Sequence, residues 1–274
     1  MIVDLELHRL YDRVRLVRGK GDRRSGSLCI MTLVALLAGE RHTDAPSIAS
    51  PVVRAFAIGL NDAMPDIERQ RLKVFAPRII GTADGFDPGR AAVLRGAMQQ
   101  EVFPRICGDL QGHVLPSSPR HYPCGAATPQ SVKELLCDVT AAAVAEDTPR
   151  NQRELALLAS RLLSTCALAA TTATAQAWYW AQSINLLDQL CEVGMPRLRR
   201  GPTRAHIETL LAAHSLAGAR MGYMRTALQR LRRAFIAVTD NAIVEPATPT
   251  MALAPPLNDK VKRTETIAPH VPGA

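Results

Sequence analysis

Two cysteines and two histidines, residue types that bind zinc, occur within one short stretch of the sequence. They follow the spacing C-x5-H-x7-H-x2-C and are Cys107, His113, His121 and Cys124. Zn²⁺ is held by four nitrogen or sulfur ligands in a tetrahedron, which this set would supply. Only His121 and Cys124 have the close pairing typical of zinc fingers, so unrelated loop residues are the alternative interpretation. Apart from zinc at this site, the sequence predicts no cofactor.

A second candidate for chemistry is His42 with Asp44, for which Cys29 is a possible neighbour in the fold. A histidine oriented by a carboxylate can act as a general base or a metal ligand, and a cysteine beside it would indicate nucleophilic catalysis. The alternative is structural. An Asp two residues before Pro46 commonly stabilises a turn, and the histidine can hydrogen-bond to it.

Arginines form the third candidate site. Residues 195–236 contain nine arginines and one acidic residue, against a net charge of +8 for the whole chain. Clustered arginines on a helix can contact the phosphates of nucleic acid, whereas the other interpretation is a solvated face that pairs with acidic residues. No helix-turn-helix, zinc-finger or RNA-binding signature accompanies them. The candidate nucleic-acid contacts are Arg197, Arg199, Arg200, Arg220, Arg225, Arg232 and Arg233.

The composition is that of a globular helical protein. Of the 274 residues, 47% are hydrophobic, 21% charged and only 4% aromatic, and alanine and leucine are abundant, which favours helix over sheet. The first residues are charged throughout and lack the apolar core of a secretion signal, so we expect a cytoplasmic protein whose six cysteines are reduced. The apolar run 28–37 is too short to span a membrane, and we expect no membrane partner.

Helix starts can be read from a capping residue followed by proline, which is suited to the first helical position. Such pairs predict helix starts at Ser50-Pro51, Asp87-Pro88, Thr128-Pro129 and Thr148-Pro149. The run 28–37, followed by Gly39, predicts a buried helix with a glycine at its end.

Two long helices are predicted in the second half of the chain. The first runs from Pro149 to Val193, with a bend or break near Thr171, Thr172 and Thr174, because β-branched residues lower helix propensity. The second carries an apolar heptad seam, typical of a coiled coil, that begins at Leu210 and runs to Val238. This seam predicts either an antiparallel hairpin with the preceding helix or pairing with a second subunit.

The stretch 28–82 also carries a resemblance. Its motifs are a Cys before the first apolar helix, AGE-R-H-T-D-A-P, S-P before the second helix, L-N-D-A-M-P-D, E-R-Q-R-L and I-I-G-T. In these motifs the chain resembles a family of uncharacterised bacterial proteins from actinomycetes and their phages. The resemblance implies a helical protein and carries over no catalytic residues.

These observations predict an all-α fold with four segments. They are an N-terminal helical module (1–107), an irregular loop (108–128), a long helical hairpin or bundle (129–240) and a disordered Pro-rich tail (241–274). The function that this architecture favours is a non-enzymatic interaction or assembly protein that self-associates or binds another protein. Nucleic-acid binding through the arginine-rich helix is the alternative, and a zinc-containing or hydrolytic protein is the third.

Overall fold

A computed structural model of the chain describes residues 2–22, 25–116, 131–194, 203 and 205–212, with side chains from residue 7 onward. All of these residues belong to one compact unit, Met1–Tyr223, and the second unit, Met224–Ala274, lies outside the described residues. The fold is predominantly helical, as predicted. Most of the heptad seam and the predicted tail lie outside the described residues.

Helices follow one another through most of the described chain. Their bounds are α1 Ile2–Arg13, α2 Ile30–Leu37, α3 Pro51–Ala63, α4 Asp66–Arg69, α5 Ala76–Ile79, α6 Asp87–Ala97, α7 Phe103–Gln111, α8 Val132–Val144, α9 Pro149–Ala169 and α10 Ala173–Glu192. A 3-10 helix, Gln70–Phe75, joins α4 to α5, and a π-helical segment, Met98–Val102, joins α6 to α7. Residues 205–212 are also helical.

A small sheet between α1 and α2 was not predicted. Its strands are β1 Arg15–Leu16, β2 Gly21–Asp22 and β3 Ser27–Leu28, in the order β1-β3-β2. β1 pairs parallel to β3, with Leu16 opposite Leu28, and β2 pairs antiparallel to β3. α1 therefore ends at Arg13, because Arg15 N and Val17 N after it donate backbone hydrogen bonds to Gly26 O and Leu28 O.

Three of the predicted helix starts agree with the structure. Ser50 caps α3 by accepting hydrogen bonds from the Val52 and Val53 N–H groups, and Thr148 caps α9 in the same way. α6 begins at Asp87, although Phe86 occupies the capping position. The predicted start at Thr128-Pro129 lies outside the described residues. Within them, Ser131 caps α8 through a capping box in which Ser131 and Glu134 hydrogen-bond to each other's backbone N–H.

One hydrophobic core extends through the described residues, from Leu7 on α1 to Leu211 in segment 205–212. All eight residues of α2 are buried, and Gly39 after it has a positive φ of 77°, as the glycine at its end predicted. The predicted N-terminal module and hairpin segments both contribute to this core. The break in the long helix also occurs where it was predicted, between Ala169 and Ala173.

α3 and α9 pack against each other at very short range near Gly59. A Cβ atom placed on Gly59 would lie 1.9 Å from Ser160 Oγ and 2.9 Å from Ser160 Cβ. Real atoms do not approach so closely, so the two helices can pack in this way only because residue 59 has no side chain.

None of the helices in the described part of the chain is both long and apolar enough to span a bilayer.

We predict that Gly59→Ala destabilises the fold by about 1–3 kcal/mol, because the added methyl group overpacks the contact with Ser160. Gly96→Ala is the matched control. It also lies inside a helix, but a Cβ there meets nothing within 4 Å, so better helix propensity should leave stability unchanged or slightly raised. Urea unfolding of both variants makes the comparison. Equal effects of the two substitutions would contradict the packing argument.

Candidate functional site

Two of the four predicted zinc ligands lie among the described residues and two do not. Cys107 is exposed on α7, and His113 follows the end of that helix with a φ of 57°. His121 and Cys124 lie outside the described residues. Within the described ranges, no three His, Cys, Asp or Glu side chains come close enough together to hold a metal ion. A zinc site at these four residues therefore stays a prediction.

None of the seven candidate nucleic-acid arginines lies in the described part of the chain. They are Arg197, Arg199, Arg200, Arg220, Arg225, Arg232 and Arg233.

Segment 205–212, which lies between Arg200 and Arg220 in the sequence, is anchored to the core. Ile207 and Leu210 are buried, Arg13 Nη1 donates to Leu211 O at 2.9 Å, and His206 Nε2 lies 2.8 Å from Leu36 O. Since a carbonyl oxygen only accepts, His206 is the donor.

His42 lies in a corner beside α2. Its ring lines a crevice with Thr32, Leu36 and Glu40 that is too narrow to admit a water molecule. The His42 Nδ1 atom is buried and has no hydrogen-bond partner among the described residues. Asp44 is exposed. The adjoining turn is instead stabilised by Thr43 Oγ1, which accepts from Ala45 N–H at 3.0 Å.

Glu40 organises the rest of this corner. Its carboxylate accepts three hydrogen bonds, from Ser47 N at 3.0 Å, Ser47 Oγ at 2.8 Å and Ile48 N at 3.2 Å. Both oxygens of the Glu40 carboxylate therefore accept hydrogen bonds from the loop between α2 and α3. The role of Glu40 in the structure is to fix this loop.

Cys29 is close to this corner and caps α2, with its Sγ accepting from Thr32 N at 3.3 Å. Burial raises the pKa of the Cys29 thiol, hydrogen bonds from Thr32 partly offset the effect, and the negative charge of Asp44 adds to it. The thiol therefore stays neutral near pH 7, whereas a nucleophilic cysteine needs a thiolate. The structure thus places Asp44 within electrostatic range of Cys29, and catalysis by His42 and Asp44 stays a prediction.

We predict that an alkylating reagent at mildly alkaline pH modifies Cys29 in the native protein far more slowly than Cys107 and Cys137. Cys29 is buried and its pKa is raised, whereas the other two thiols are exposed. Peptide mapping by mass spectrometry measures the three rates side by side, and the same labelling in denaturant gives the unfolded control. Fastest labelling at Cys29 would instead identify an activated nucleophile.

Buried charges elsewhere in the described residues have structural partners. Arg90 is fully buried, and its guanidinium contacts Asp84 through two bonds of 2.6 and 2.8 Å. It also donates to Leu190 O at 3.1 Å and to Val193 O at 2.7 Å. Arg90 thus joins the start of α6 to the end of α10. Burial opposes ionisation of Asp84, but hydrogen bonds from Arg90 and Phe86 N–H outweigh it and lower the pKa of this carboxyl group.

We predict that Asp84→Asn destabilises the protein by about 3 kcal/mol near pH 7, because it removes the nearer counter-ion of the buried Arg90 and leaves only Asp87, at 3.4 Å. The pKa of Asp84 is lower in the folded than in the unfolded state. The stability it contributes is therefore present above the ordinary aspartate pKa of about 3.9 and is lost as the pH falls through the folded value. Denaturation across the acidic range should show the difference between wild type and variant shrinking as the pH falls. A constant difference would contradict this assignment.

A second polar cluster lies between α7 and α10. Tyr179 Oη donates to Asp109 Oδ2 at 2.8 Å, and Arg105 Nε donates to the same oxygen at 2.9 Å. The Arg105 guanidinium lies 5.2 Å above the centre of the Trp178 ring. Burial raises the pKa of Tyr179, which therefore remains a hydrogen-bond donor. Of the aromatic residues of α10, Tyr179 and Trp180 are buried in the core, and Trp178 is partly buried against it.

An open groove between α8 and α9 was not predicted. Its volume is about 440 Å³, and its lining is mostly small or acidic: Asp138, Ala141, Ala142, Ala145, Asn151, Glu154 and Leu158. On α8 the lining residues fall at spacings of three and four, which places them on one face of the helix. Their spacing was readable from the sequence, but the sequence does not show that α9 leaves this face uncovered.

Comparisons of the chain with protein-family models, curated proteins and solved structures find no match. The resemblance of residues 28–82 to a bacterial protein family therefore stays a prediction. The candidate functional surface is thus defined by the structure alone, and among the described residues the groove between α8 and α9 has room for a bound group.

Proposed function

We propose that this protein is a non-enzymatic helical interaction protein that self-associates, and that the groove between α8 and α9 receives a helix of its partner. The groove itself is the observation that carries the proposal. Two helices with a gap of about 440 Å³ between them offer the docking geometry that an amphipathic helix uses in helix-in-groove recognition.

The lining of the groove supports this role. Ala141, Ala142 and Ala145 have small side chains, so the backbone of a docked helix can come close to α8, while Leu158 offers an apolar contact on α9. Ala141 is exposed and Leu158 is half-buried. The surface therefore combines apolar contact area with access from solvent, as a docking site requires.

The distribution of charged groups is consistent with a binding role. Arg90 on α6 bonds to the end of α10, and Asp109 on α7 accepts a hydrogen bond from Tyr179 on α10. The alternative function, nucleic-acid binding, rests on arginines outside the described residues.

We predict that Ala141→Arg weakens self-association, because a long side chain fills the groove from an exposed position that the fold does not need. Thr140→Arg is the matched control. It places the same side chain at the neighbouring exposed position of α8, outside the groove lining. Light scattering behind size-exclusion chromatography over a concentration series measures the mass of wild type and both variants.

The expected result is an oligomer for wild type and Thr140→Arg, and a shift toward monomer for Ala141→Arg. A monomeric wild type at all concentrations, or equal masses for the two variants, would overturn the proposal. Repeating the series with duplex DNA at low and moderate salt tests the alternative. Nucleic-acid binding would be favoured if the protein is a monomer whose mass rises when DNA is added at low salt and falls again at moderate salt.

A further inference from the structure

One side of α8 carries a row of apolar side chains that the other described elements leave open to solvent. Cys137, Ala141 and Val144 recur at spacings of four and three residues, which places them on the same side of the helix. All three are exposed, and Val144 keeps 75% of its accessible surface. We call this row the α8 stripe. It borders the groove between α8 and α9, because Ala141 also lines that groove.

The two ends of α8 carry opposite charges. Lys133 lies in the first turn of the helix, and Glu146 lies just after its end at Val144. Both side chains are exposed, and neither forms an ion pair with another residue in the described ranges. A cation and an anion, both available to a partner, therefore stand at opposite ends of the α8 stripe.

This charge pattern is complementary to itself when two copies of α8 run antiparallel. Reversing one helix brings its Glu146 end beside the Lys133 end of the other, and a two-fold axis repeats the same pair at the second end. A parallel arrangement would instead place like charges together, which is unfavourable. Ala141 is the middle member of the stripe and lies nearest the axis, where its small side chain lets the two backbones come close.

We propose that the helix received beside the groove is α8 of a second copy of the chain, antiparallel to the first, with the two α8 stripes in contact. Lys133 of each copy then faces Glu146 of the other. The inference rests on the proposed function and specifies its partner. Because both copies use the same surface, the contact closes at a dimer, and Val144 and Leu158 supply apolar area to it.

A charge swap in the 274-residue chain tests this pairing. Lys133→Glu alone and Glu146→Lys alone should each raise the dissociation constant of the dimer on the order of tenfold, since each substitution turns two attractive pairs into repulsive ones. The double variant restores opposite charges and should recover most of the affinity. Lys20→Glu is the control, because it makes the same change of charge at an exposed lysine outside α8. Light scattering over a concentration series measures all four variants.

Cross-linking with a short bismaleimide locates the axis independently. A cysteine is introduced by Ala141→Cys or, as the control, by Gln99→Cys at an exposed position outside α8. The remaining thiols that the structure describes are buried: Cys29, Cys166 and Cys191. Ala141→Cys should give a covalent dimer in high yield, because the axis brings residue 141 of both copies together, and Gln99→Cys should not. The background for both variants is Cys107→Ser, Cys124→Ser and Cys137→Ser.

A double charge variant that assembles no better than either single variant would overturn the inference, as would equal cross-linking at positions 141 and 99. If Ala141→Arg still disrupts assembly in that case, the groove has another occupant and the proposed function stands. If Ala141→Arg has no effect, the proposed function itself fails.

Discussion

The contact between α3 and α9 at Gly59 and Ser160 is the constraint on which the described structure depends. α3 also packs against α2, α6 and α10, so its distance from α9 sets how the N-terminal helices meet the later ones. With a side chain at residue 59, the two helices would have to separate, and core residues such as Phe56 and Leu162 would lose contact. A single glycine thus links two halves of the chain in one core.

Charged groups inside this core extend the same linkage. Arg90 connects α6 to the end of α10, and Arg69 donates to Asn61 O and Met64 O at 2.6 Å each, where α3 ends. Each buried guanidinium supplies donors to carbonyl oxygens that a helix end leaves without partners. The hydrogen-bond donors of Arg90 and Arg69 are engaged in holding helices together. That supports a function located on the surface, where the groove between α8 and α9 is open.

Features with a local cause could be predicted from the sequence. Ser50-Pro51 and Thr148-Pro149 start helices because a side-chain cap and a proline act within one turn, and the break after Ala169 follows from a run of threonines. Features that depend on distant partners could not. The sheet needs residues 15–16 and 27–28 to pair across a loop, and three glycines between them, Gly19, Gly21 and Gly26, have positive φ angles. The start of α8 at Val132 was not predicted, because its cap, Ser131, is not followed by a proline.

The candidate site, too, has features with a local cause and features that depend on residues distant in the sequence. His42 and Asp44 are close in sequence, but the Nδ1 atom of His42 is buried beside α2 while Asp44 is exposed, and the sequence alone does not show this difference. The groove exists because α9 does not pack over the small residues on one face of α8, and the sequence of either helix alone does not show how the two helices pack.

Hydrogen exchange of the 274-residue chain at low and high concentration tests directly whether it assembles through the groove. We expect the amides of α8 and the first half of α9 to become more protected as the concentration rises. No change with concentration would contradict it, as would protection confined to another surface, such as that around the exposed Ile67 and Val74.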